Sequence, residues 1–126
     1  MSLASGAAAR RRGVQAEQVV VAHLAAAGLE ILGTNLRVGR LELDVVARDG
    51  PVVAVVEVRT RGPGARVRAI DSVDARKRSL VRRAGEGLWR TRFCRDARVD
   101  RMRFDVAAVD LLPSGEVRVE IVKAAF

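Results

Sequence analysis

Apolar positions recur every three or four residues from Gln15 to Ala27 (QAEQVVVAHLAAA), where Val20, Leu24 and Ala27 mark the inward face of a helix. Gly28 is the natural stop. From Leu29 the period breaks. LEILGTNLR sets Leu29, Ile31 and Leu32 ahead of turn-prone Gly33 and Asn35, which predicts a short, irregular strand. Two strands follow, LELDVVAR and PVVAVVEVRTR, joined by Asp49-Gly50, a dipeptide favoured in two-residue hairpin turns. After a Gly/Pro/Arg-rich loop from Gly62 to about Arg68, helical spacing returns, with Asp71 or Ser72 as cap. Val73, Leu80, Ala84 and Leu88 would face inward, and the helix would end near Trp89. A basic link, RTRFCRDARVD, leads to the strand RFDVAAVDLL, the turn Pro113-Ser114-Gly115 and a closing strand, EVRVEIV. The predicted order is helix, three strands, helix, strand, with one further strand at the C-terminal end and no internal repeat.

A chain of 126 residues can bury one core but not two independent ones. Residues 1–12, with their cluster Arg10-Arg11-Arg12, are expected to form a flexible basic arm, and 13–126 a single domain. Apolar residues make up 49% and aromatics 3%, so the core should be built from Val, Leu, Ala and Ile.

Charge narrows the partner. Twenty-three basic residues against 15 acidic ones give a net charge of +8, which favours a polyanion over a neutral metabolite. All but Lys77 and Lys123 of those cations are Arg. The one cysteine, Cys94, can form no intrachain disulfide and suggests a reducing compartment, the cytoplasm. No apolar stretch approaches the roughly 20 residues needed to span a bilayer, and the N-terminal Arg cluster follows the small residues, the reverse of a secretory signal.

Candidate chemistry lies on the central hairpin. Side chains alternate along a strand, so Glu42 and Asp44 share one face of the first arm, and Val53, Val55, Glu57 and Arg59 one face of the second. With Asp49-Gly50 as the turn, residue 48 pairs with 51. Glu42 then falls opposite Glu57, and Asp44 falls opposite Val55, diagonal to Glu57 at roughly 7 Å or less. Three carboxylates would converge on one patch that needs neutralising, and hard divalent cations prefer such oxygen donors. The competing reading is a half-exposed hairpin whose charges face water, with Glu42 and Arg59 in surface ion pairs. Both faces of VVAVVEV are rich in Val, however, and a strand covered on both sides is a poor place for an idle glutamate.

The sequence LELD, then RDG, then VVEVRTR, a basic helix and RFDVAAVDLL resembles the YraN-type family of small bacterial proteins, whose pattern is G-E-I-D-L-I-A followed by F-V-E-V-K-T-R. The likeness runs from about Gly13 to the closing KAAF and includes Glu17, Gly28, Asn35 and Arg37. It implies a restriction-endonuclease-like α/β core of order αβββαβ, a mixed central sheet flanked by helices, with relatives among archaeal Holliday junction resolvases. Residue by residue, it makes Asp44 and Glu57 metal ligands for Mg²⁺ or Mn²⁺, the Val58 carbonyl a third, Glu17 a helix-borne carboxylate reaching the site and Glu42 an auxiliary acid.

One departure stands out: Arg59 occupies the place of the pattern's Lys. An Arg stays protonated and offers a planar fork, so Arg59 could stabilise charge on a phosphate, mark a site that binds without cutting, or reflect the general displacement of Lys by Arg.

These observations support metal-dependent phosphodiester hydrolysis on structured or branched nucleic acid, DNA ahead of RNA, with a homodimer as one arrangement. The backbone would be held by Arg37, Arg61, Arg66, Arg68, Arg76, Lys77, Arg78, Arg82 and Arg83. The alternatives are a nucleic-acid-binding module that no longer cleaves and an RNA or protein assembly factor. His23 and Trp89 are expected in packing or surface roles, Asp105 in a structural one, and Cys94 lacks a partner base.

Overall fold

The computed structural model describes residues 3–62 and 68–126, with side chains from Gln15 onward. Two helices, α1 (Leu3–Ala26) and α2 (Ala75–Leu88), flank a sheet of five strands, β1 (Glu30–Val38), β2 (Leu41–Asp49), β3 (Val52–Arg61), β4 (Arg101–Leu111) and β5 (Val117–Val122). The strands lie in chain order. All neighbours are antiparallel except β3 and β4, which are parallel and joined through α2. This is the mixed α/β architecture expected, consistent with a restriction-endonuclease-like core.

The hairpin turn differs from expectation by one step. Asp49 pairs with Val52, so Gly50 and Pro51 form the turn, and the register places Val45 on Val56 and Val46 on Val55. A two-residue turn at Asp49-Gly50 would require residue 51 to return its N–H to residue 48, and Pro51 has none. Gly50 at φ +58° followed by proline's fixed negative φ has the sign pattern of a II′ hairpin turn. The displacement is two residues in register, so side chains within the paired ladder from Val45 to Asp49 keep their faces while their partners change. Alternation breaks at Asp44, since Leu43 and Val46 pack in one core and Val45 in the other.

Alternation along β3 fills two cores. Val53 and Val55 join Leu43, Val46, Val81, Ala84, Leu88 and Phe104 on the α2 side. Ala54 and Val56 join Ala16, Val20, Leu24, Val45 and Val109 on the α1 side. Each fully buried valine leaving water contributes about 1.5–3 kcal/mol.

The helix ends and buried faces differ from expectation. α1 begins well before Gln15, and its buried stripe is Ala16, Val20 and Leu24, with Ala27 exposed beyond the helix. α2 is capped by Asp74, whose carboxylate accepts the Lys77 N–H at 2.8 Å. Asp71 and Ser72 instead belong to a preceding 3₁₀ turn, Ala69–Asp71, and its cap. The later start turns Val81 rather than Leu80 into the core. A π-helical turn, Trp89–Phe93, continues α2 and packs Trp89 and Phe93 against the same core. β1 has the expected irregularity, a register shift between Ile31 and Gly33 and Asn35 at φ +50°.

Asp105 is structural. Buried to 2% exposure, it accepts Arg103 and the Ala124 N–H, while Arg103 also reaches Asp49. Among the described residues no helix is long and apolar enough to cross a membrane.

Candidate active site

Beyond the Val45–Val56 pair the β2–β3 ladder stops, and a side chain takes over. Asp44 Oδ2 accepts the Val58 N–H at 2.9 Å, fastening β2 to β3 where the backbones part. Around that junction lies a cleft of about 230 Å³ lined by Ala16, Glu17, Asp44, Glu57, Val58, Arg59, Thr60 and Lys77. β2 and β3 supply its floor, and the helices supply Glu17 from one side and Lys77 from the other.

Glu57 is the centre of the arrangement. It is 3% exposed, and its Oε2 is buried with no hydrogen-bond partner among the described residues. Its Oε1 lies 3.6 Å from Lys77 Nζ, an ion pair wider than a hydrogen bond. Burial, then the neighbouring Asp44 carboxylate, pushes the Glu57 carboxyl up to about 7, against the pull of Lys77 and Arg59. Burial also raises Asp44, with the Val58 N–H and Lys77 holding it back. Glu17 is raised by burial and by its acidic neighbours Asp44 and Glu42, and its Oε2 accepts Asn35 Nδ2 at 2.9 Å. Arg59 is half-buried, its Nε also lacking a partner among the described residues.

The structure therefore brings together Asp44, Glu57, Val58, Arg59 and Glu17 from the residues singled out in the sequence. Glu42 does not join them. It is exposed, outside the cleft lining, and paired across the sheet with Arg37. The two-residue register displacement explains this, since it carries Glu57 away from Glu42 and toward Asp44. No group of three or more His, Cys, Asp or Glu among the described residues converges to hold a metal unaided, so the expected three-carboxylate patch is a closer pair with Glu17 at its edge.

A divalent cation fits this pair. The donors are all oxygen, Glu57 Oε2 is desolvated with no hydrogen-bond donor on it among the described residues, and Mg²⁺ typically takes one or two carboxylates with water and phosphate oxygens.

The expected nucleic-acid-binding residues divide. Arg37, Arg76, Arg82 and Arg83 are exposed, Arg82 stacking over the Phe104 ring at 5.0 Å. Arg61 is half-buried and bound to Asp110 at 2.5 Å, and Arg68 is exposed and bound to Asp71 at 2.7 Å. Arg78 donates to the Val73 and Ile70 carbonyls and holds the turn before α2. Arg66 lies outside the described residues. Lys77, grouped by sequence with the basic helix surface, belongs to the cleft. The signal that marks it is compositional, one of two lysines among 21 arginines. His23 and Cys94 are both exposed.

Fold and site together define a small mixed α/β protein, a five-stranded sheet between two helices, with a desolvated carboxylate pair where two central strands part. The chain belongs to the Uncharacterised protein family UPF0102, whose model matches residues 16–109. It is 67% identical to a UPF0102 protein of Sorangium cellulosum, across 94% of this chain and 83% of that one. UPF0102 proteins of Pseudomonas paraeruginosa and Porphyromonas gingivalis are 41% and 37% identical, covering 80% and 85% of this chain and 79% and 76% of theirs. The YraN-type resemblance is to this same family.

Proposed function

We propose that this protein is a metal-dependent phosphodiesterase of the restriction-endonuclease-like kind, acting on structured or branched nucleic acid, DNA ahead of RNA. One observation carries the reading: Glu57 Oε2 is buried beside Asp44 and unpartnered among the described residues, in a cleft that also holds Arg59 and Lys77. Desolvated acids are costly unless a cation completes them, and the adjacent cations suit a phosphate.

Asp44, Glu57 and the Val58 carbonyl would hold Mg²⁺ or Mn²⁺. When bound, such an ion lowers the pKa of a coordinated water and offsets charge on the phosphate. Arg59 offers its guanidinium to the same phosphate, Glu17 polarises the cleft from α1, and Asn35 fixes Glu17. The exposed Arg76, Arg82 and Arg83 of α2, with Arg37, supply sequence-independent backbone contacts. A homodimer would present two such clefts to the strands of a junction. An exposed, unpaired Cys94 suits a reducing compartment such as the cytoplasm.

The test incubates purified protein with labelled branched DNA, duplex DNA and structured RNA in Mg²⁺ or Mn²⁺, beside Asp44→Ala and Glu57→Ala. Cleavage lost in both variants supports the proposal. Tight, salt-sensitive binding without cleavage would favour the non-cleaving module that Arg59 motivates, and Arg59→Lys would then be tested for gain of cutting. A protein that neither binds nor cuts overturns both readings.

A further inference from the structure

Lys77 occupies a position that local physics disfavours. It stands in the first turn of α2, three residues after the Asp74 cap, next to Arg76 and with no acid in that turn. The N-terminal end of a helix carries partial positive charge and favours Asp or Glu over a cation. A cation there breaks the local rule, and such breaks concentrate where a site needs them. The Asp74 carboxylate accepts the Lys77 N–H at 2.8 Å, so the backbone beneath this side chain is fixed.

Composition adds a second, independent argument. In a chain where 21 of 23 cations are Arg, the cleft contains a Lys, and the neighbouring Arg78 spends its guanidinium on backbone carbonyls. A compact ammonium on a flexible stem can swing between two anions, whereas a planar fork is built for one fixed partner. At 3.6 Å from Glu57 Oε1, the ammonium touches the carboxylate without a tight hydrogen bond to hold it.

Charge balance gives the third. Fully ionised, Glu17, Asp44 and Glu57 with Arg59 and Lys77 sum to one net negative charge among the described residues of the cleft. A divalent ion turns that into one net positive charge, and a single phosphodiester cancels it. With the ion on the carboxylates, the Lys77–Glu57 pair is redundant, and the ammonium is repelled toward the arriving anion.

We propose that Lys77 is a second phosphate-binding residue of the cleft beside Arg59, pairing with Glu57 in the geometry described here and turning to a phosphodiester oxygen once a divalent cation sits on Asp44 and Glu57. This rests on the function proposed above and assigns to α2 the mobile cation that β3, with Arg59, does not supply.

The two lysines make the test direct. The whole protein is acetylated with an amine-reactive ester alone and with branched DNA plus Ca²⁺, and modification at each lysine is read by peptide mass spectrometry. Lys123, paired with Asp49 at the hairpin end of the sheet, is the internal reference. DNA with Ca²⁺ should lower acetylation of Lys77 several-fold and leave Lys123 within about twofold, and Lys77→Met should lose about tenfold in DNA affinity, the worth of one charge-assisted hydrogen bond. Binding of Mn²⁺ to Lys77→Met, followed by water proton relaxation, should be retained or tightened. If DNA binds and Lys77 reacts as before, the inference falls while the proposed function stands. If Lys77→Met folds but loses Mn²⁺, the residue only organises the carboxylates and the inference also falls. If the natural chain fails to bind DNA at all, the proposed function falls and takes this inference with it.

Discussion

The carboxylate of Asp44 and the backbone N–H of Val58 share a 2.9 Å hydrogen bond at the point where β2 and β3 separate, so one residue both closes the sheet and faces the cleft. Its two roles can be parted. Asp44→Asn keeps an oxygen for Val58, relieves repulsion against Glu57, and is expected to match or exceed the natural stability. Asp44→Ala orphans the Val58 N–H and should lose about 1–2 kcal/mol. Urea unfolding measures both, and the nuclease assay should find neither active.

Stability should depend on pH through Glu57. Its folded value of about 7 lies above the 4.5 of the free side chain, so its contribution is full below about 4.5 and is lost as pH rises through 7. The slope in that window is at most about 1.4 kcal/mol per pH unit. Asp44 is shifted in the same direction and acts with it. Asp49 and Asp96, held low by Arg103 and Arg98, act oppositely but only as pH falls below 3.8. Chelator-treated protein should thus lose stability as pH rises from about 4.5 to 7, and Glu57→Gln should flatten the trend. Mn²⁺ affinity should run the other way, falling below pH 7 as protons compete for the pair.

Gly85 sets the distance between α2 and the sheet. A Cβ there would lie 2.6 Å from Phe104 Cε1 and 3.1 Å from Met102 Sδ, whereas one at Gly87 would lie 3.6 Å from Val38 Cγ1, an ordinary contact. Replacing glycine in a helix gains up to about 1 kcal/mol of propensity, and overpacking costs about 1–3 kcal/mol. Gly85→Ala should destabilise and Gly87→Ala should stabilise, as read by chemical denaturation. Equal effects at the two positions would refute the close approach.

The exposed arginines of α2 should tune affinity without touching the ion. Arg76→Gln and Arg83→Gln are each expected to weaken DNA binding several-fold and to reduce the slope of log affinity against log salt by about one. Mn²⁺ binding by either variant should equal that of the natural chain.

Element types and the sheet's double-sided core were legible because Val53 to Val56 leaves no polar face and the hairpin is local. The turn was not, because Asp49-Gly50 is a strong signal read in isolation, and the missing N–H of Pro51 moves the turn one residue on. That same displacement removed Glu42 from the cleft and brought Glu57 to Asp44. Alternation alone cannot detect it, since a shift of two preserves every face within the paired ladder. Lys77 was visible as a cation but not as a cleft residue, because its placement depends on Asp74 starting α2 later than Ser72 would. Ala27 is exposed because α1 ends at Ala26, one residue before it, while Val81 in place of Leu80 follows from helix phase, which adjacent apolar residues leave ambiguous.

The parallel pairing of β3 with β4 bears on how the protein reaches this state. The β2–β3 hairpin can close on its own, with Asp44 and Glu57 still in water. Glu57 meets its neighbour Val106 only after the chain has looped through all of α2. Long-range closure of this kind is the slow event in folding, and here it coincides with stripping water from an acid. Refolding above pH 7 should therefore be held back by the cleft itself. Glu57→Gln should speed the refolding arm of a stopped-flow chevron more than it slows unfolding, so the charge that equips the site would also set the pace at which the site is made.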